Sequence, residues 1–63
     1  SYYKKYTGKS NKIDEVFKAV GAPYGNVTKR VPVAKKNGYY SYKGTEKQNL
    51  ALIDLAKKGK LKK

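Results

Sequence analysis

The 63-residue chain carries 16 Lys and Arg against 4 Asp and Glu, a formal charge of +12 with a pI near 10.0. A chain this short buries only about 60% of its unfolded surface, so it holds one small domain and no deep catalytic cleft. Cys and His are both absent, which removes disulfides, thiolate metal sites, the usual general base and the commonest metal ligand together. No apolar run approaches the roughly 20 residues needed to span a bilayer, and no signal-peptide pattern opens the chain. What remains is a soluble, strongly basic binding module with no catalytic residues, no cofactor and no metal. Met is missing as well. With its Ser1-Tyr2-Tyr3-Lys4-Lys5-Tyr6 opening, the chain reads as a piece of a longer protein whose catalytic or partner domain lies elsewhere.

Residues 1–10 show no sustained periodicity and contain Gly8, so they read as a linker or an extended lead-in; Tyr2, Tyr3 and Tyr6 can dock on the domain behind them, residues 11–63. Asn11 or Ser10 is the expected cap of a first helix, with Asp14 in the first turn where the helix dipole favours an anion. Ile13, Val16, Phe17 and Val20 then share one helical face. Gly21 and Pro23 end that helix.

The middle segment resists a simple reading. Asn26 or Thr28 can cap a helix, but proline deep in a helix costs about 3 kcal/mol and is tolerated only in the first turn. A short helix from about Val31 to Asn37, stopped by Gly38, satisfies Val31-Pro32-Val33 best; a strand over Asn26–Val33 is the alternative. Residues 38–44 form a connection with Gly at both ends. Thr45 and Gln48 have capping-box spacing, and Leu50, Ala51, Leu52, Ile53, Leu55 and Ala56 make an apolar band wide enough for a central third helix. Lys57 and Lys58 occupy its last turn, Gly59 ends it, and Leu61 folds back as a hydrophobic clip. The expected fold class is all-α, a small three-helix domain behind a Tyr/Lys-rich extended lead-in.

Catalysis by carboxylates fails on geometry. Asp14 and Glu15 are adjacent on a helix and point apart. Glu46 and Asp54 are separated by ~12 Å of helix axis, against the roughly 5–9.5 Å of a glycosidase pair. No glycine-rich phosphate loop is present. The signal that stands out is Tyr among Lys: 7 Tyr share the chain with a single Phe and no Trp, and every cation but Arg30 is Lys. A Tyr ring offers a flat apolar face and a hydroxyl, suited to stacking on sugar rings or unpaired bases, while Lys attracts polyanions. The cluster Tyr39, Tyr40, Tyr42 and Lys43 lies in a connection, where binding residues concentrate. Asn37, Gln48 and Asn49 are amides able to bond sugar hydroxyls or peptide groups, although capping explains Gln48 equally well. Arg30 has a fork for a carboxylate or phosphate, or for a salt bridge to Asp14 or Glu15.

The run Asn37-Gly38 to Tyr42, Gly44-Thr45, Gln48-Asn49 and the closing Lys58-Gly59-Lys60-Leu61, with Tyr2, Tyr3, Tyr6, Gly21, Ala34 and Lys35, resembles a known pattern. It is that of the C-terminal cell-wall-binding modules of Gram-positive phage endolysins and autolysins. The match runs in order over nearly the whole chain, with two departures. Val31-Pro32 stands where basic helix formers are usual, and Tyr39 where an aliphatic residue is usual. The resemblance implies a module placed behind an N-acetylmuramoyl-L-alanine amidase or lysozyme-type domain. Its implied partner is peptidoglycan or a teichoic-type polymer, outside the cell and at the wall. The alternative expectation is a basic helical domain that binds nucleic acid.

Overall fold

The computed structural model describes all 63 residues, and its elements run α1 (Ile13–Val20), α2 (Val27–Lys36) and α3 (Glu46–Lys57), with no strands. The all-α, three-helix class stands as expected. α1 lies against α3, and the face that periodicity assigns to α1 is the one it buries: Val16, Phe17 and Val20 meet Leu52, Ile53 and Ala56 of α3. Leu61 is fully buried with them. The wide apolar band of α3 is only partly used, since Leu50 remains exposed at the helix's outer side.

All three helices close in the same way. Gly21, Gly38 and Gly59 stand at positive φ, and in each case the next residue turns its N–H back onto the helix: Ala22 to Phe17, Tyr39 to Ala34 and Lys60 to Leu55. This Schellman arrangement satisfies carbonyls that the helix leaves open and presses the following residue against the last turn. It explains why Tyr39 is half-buried against the core rather than free in a loop. At its start α3 carries the expected capping box: Thr45 Oγ1 accepts from the Gln48 N–H, and Gln48 Oε1 accepts from the Thr45 N–H. The start of α1 differs from expectation. Lys12 stands at the cap with no side-chain bond, while the hydroxyl of Ser10 accepts from the Lys12 N–H and Asn11 receives the ammonium of Lys57.

α2 begins four residues before the expected Val31 and is neither a strand nor a short turn. Asn26 caps it by accepting the Lys29 N–H at 3.0 Å. Pro32 therefore sits in the second turn of an unbroken helix, where its missing N–H leaves the Thr28 carbonyl without the usual partner. Thr28 and Pro32 are both exposed, so water can take that carbonyl. Replacing Pro32 by alanine is expected to stabilise the domain by about 2 kcal/mol. The helix regains about 3 kcal/mol, and the unfolded chain loses up to about 1 kcal/mol of proline's stiffness. Urea unfolding checks this, and a midpoint that falls contradicts it.

The lead-in is extended, but it is no free linker. Tyr6 is in the core, its N–H bonds the Ala56 carbonyl at 2.9 Å, and its hydroxyl accepts the Ser10 N–H at 2.8 Å. Gly8 lies flat against that ring, where a Cβ would approach within 2.4 Å of the hydroxyl oxygen. Earlier still, Tyr2 pairs with Lys62 in an antiparallel bridge flanked by Tyr3 N–H to Leu61 carbonyl and Lys63 N–H to Ser1 carbonyl. In such a pair the bridging residues turn their own peptide groups outward. The amide of Asn37 fills that outward edge, donating to the Lys62 carbonyl and accepting from the Lys62 N–H at 2.8 Å. One side chain thus acts as a third strand, and the two chain ends are held together.

Candidate functional site

The residues singled out from sequence divide into two groups. The first is committed inside the molecule. Arg30 is only 6% exposed, and its Nη1 donates to Asp14 at 2.6 Å while its Nε donates to the Tyr42 hydroxyl at 2.8 Å. That hydroxyl donates onward to Asn49 Oδ1, and the Asn49 amide donates to the Gly44 carbonyl. Asp14 also accepts the N–H of Gly25. The result is a polar strut joining α1, α2, the 38–44 connection and α3, with no buried side-chain donor or acceptor left unpaired. Of the two roles open to Arg30, the internal ion pair with Asp14 is the one it fills. Gln48 is likewise occupied: beyond the capping box it accepts from the Lys43 N–H and donates to the Ser41 carbonyl. Asn37 holds Lys62.

The second group is outside. Tyr40 is 76% exposed, and Lys43 is exposed beside it. Gln48, by holding both Ser41 and Lys43, fixes the turn that displays them. Buried Tyr42 and half-buried Tyr39 anchor the same turn from below. The connection is therefore a rigid pedestal for one free ring.

Sequence reasoning missed a second surface altogether. Two adjoining hollows share Tyr3 and Pro23 as a common wall. The wider, about 650 Å³, lies between Tyr3 of the lead-in and the Gly21–Gly25 connection, with Lys29 at its edge. The narrower, about 150 Å³ and open to solvent, is lined by Pro23, Pro32 and Val33 together with Lys36 and Lys63. Tyr24 stands 43% exposed in the wider part. Ammonium groups lie over these rings: Lys63 Nζ is 5.6 Å from the Tyr3 centroid and Lys18 Nζ 5.9 Å from that of Tyr24. No carboxylate lines either hollow. The walls come from three separated stretches, so no local motif announces them; the only signal in the sequence was Pro32, placed where proline is costly.

Every lysine is exposed, and Lys58, paired with Asp54 at 3.0 Å, is the only one with a carboxylate partner. No helix is long and apolar enough to cross a membrane. Comparison with family models, with curated proteins and with solved structures finds no match.

Proposed function

We propose that this chain is a non-catalytic module that fastens a linked lytic enzyme to the Gram-positive cell wall, through peptidoglycan or an anionic polymer attached to it. The observation that carries the reading is what folding leaves outside: the rings of Tyr2, Tyr24 and Tyr40, set among lysines that have almost no acidic partners. Folding could have buried those rings, as it buries Tyr6 and Tyr42. A ring face kept in water beside an ammonium suits a ligand that is both saccharide and anion. The sequence resemblance points the same way, to a module working at the wall and outside the cell.

Nucleic acid is the other polyanion to weigh. Base readout relies heavily on the arginine fork, and the one Arg here is buried and bonded to Asp14 and Tyr42. Charge alone then gives weak attraction without sequence preference. α1 does not favour a membrane-surface role either, because its apolar face is spent in the core.

Co-sedimentation with purified Gram-positive sacculi tests the proposal. At low salt the protein is expected in the pellet, with gradual release as ionic strength screens the lysines. Protein that stays in the supernatant, or that ignores sacculi while holding a defined duplex at physiological salt, contradicts it.

A further inference from the structure

We infer that the double hollow between the lead-in, the α1–α2 connection and α2 is the ligand site, and that its ligand is a saccharide polymer joined by phosphodiesters. This inference rests on the wall-binding reading above and narrows it.

The place follows from commitment and shape. Arg30, Asn37, Tyr42, Gln48 and Asn49 are held by bonds within the chain, and the 38–44 connection offers one exposed ring and no cavity. The hollow is instead lined by Tyr3, Tyr24, Pro23 and Pro32 and is broadly open to solvent, so a polymer can lie across it. Pro32 adds an independent argument. Its position costs helix stability and gains nothing visible in packing, as it is exposed; it does, however, line the narrow hollow together with Tyr3. A residue that breaks a local rule without a folding benefit marks a site of function.

The ligand's chemistry follows from the rim. Lys29, Lys36 and Lys63 are distributed over both hollows, and none has an acidic partner. Lysine acts as a mobile point charge without the planar fork that grips carboxylates in two-point contact. Such a rim suits anions recurring along a flexible chain and has no feature to orient a single carboxylate. Phosphodiester-linked glycopolymer meets both demands, with sugar or polyol faces on the Tyr and Pro walls and phosphates under the ammoniums.

The test compares two triple variants of the 63-residue chain with equal charge loss: Lys29→Gln, Lys36→Gln and Lys63→Gln in the hollow, against Lys9→Gln, Lys12→Gln and Lys47→Gln elsewhere. Each is sedimented with intact sacculi and with sacculi stripped of phosphodiester-linked polymers by hydrofluoric acid. The hollow variant is expected to bind intact sacculi at least tenfold more weakly, with a salt slope shallower by about 2, by analogy with other phosphate polymers. The other variant should stay within about threefold of wild type, a loss attributable to bulk charge. Tyr24→Ala, which removes an exposed ring, should cost about tenfold at unchanged thermal stability. Stripped sacculi should bind none of the proteins measurably. Equal losses in the two triple variants overturn the site. Undiminished binding of wild type to stripped sacculi overturns the ligand class and leaves wall binding intact. Failure to bind intact sacculi defeats both.

Discussion

Replacing Arg30 by alanine is expected to remove about 3 kcal/mol of stability, a large part of the roughly 3–9 kcal/mol available to a domain of this size. Two charge-assisted bonds disappear, to Asp14 and to the Tyr42 hydroxyl. The Asp14 arm counts for less, because that side chain is 45% exposed and water can replace the guanidinium. The Tyr42 arm counts for more, since the ring is buried and its hydroxyl also positions Asn49. Lysine at this position cannot hold both partners in the same geometry and should recover less than half the loss. Chemical denaturation measures the effect. A change under 1 kcal/mol for Arg30→Ala contradicts the strut, and wall affinity of the folded fraction should change little because Arg30 is 6% exposed and lines neither hollow.

Deleting residues 1–9 should have a larger effect still. It removes Tyr6 from the core, a loss of about 3–5 kcal/mol by analogy with other aromatic truncations. It also removes the strand-like pairing that holds Leu61 and Lys62. The shortened chain is expected to lose cooperative thermal unfolding, monitored by near-UV circular dichroism through its tyrosines. A linker would be dispensable, so a truncated domain with an unchanged melting transition would contradict the packing role of the lead-in.

The elements that sequence makes plain here are those whose signals are local. The α1 face, the glycine stops and the Thr45–Gln48 capping box each depend on residues within one or two turns of one another. The early start of α2 was hidden because Pro32 weighs against it locally. What offsets that cost is the Asn26 cap together with Arg30, whose anchors lie 12 and 16 residues away in sequence. The same non-locality explains the site. Asn37, Gln48 and Asn49 looked available as amides, yet a chain with so small a core uses polar side chains as internal struts, and their partners are invisible until the chain is folded. Tyr3 and Lys63 lie near opposite ends of the chain and share a wall only because the ends pair.

The most direct test of the account is a backbone-amide chemical-shift titration of the intact chain with soluble fragments of Gram-positive wall that retain their phosphodiester polymers. Saturable shifts are predicted at Tyr3, across Gly21–Gly25, and at Lys29 and Lys36, with Arg30 and Asn49 little affected. Shifts confined to the Tyr40–Asn49 stretch would overturn the hollow as the site, and no saturable shift at all would contradict wall binding itself.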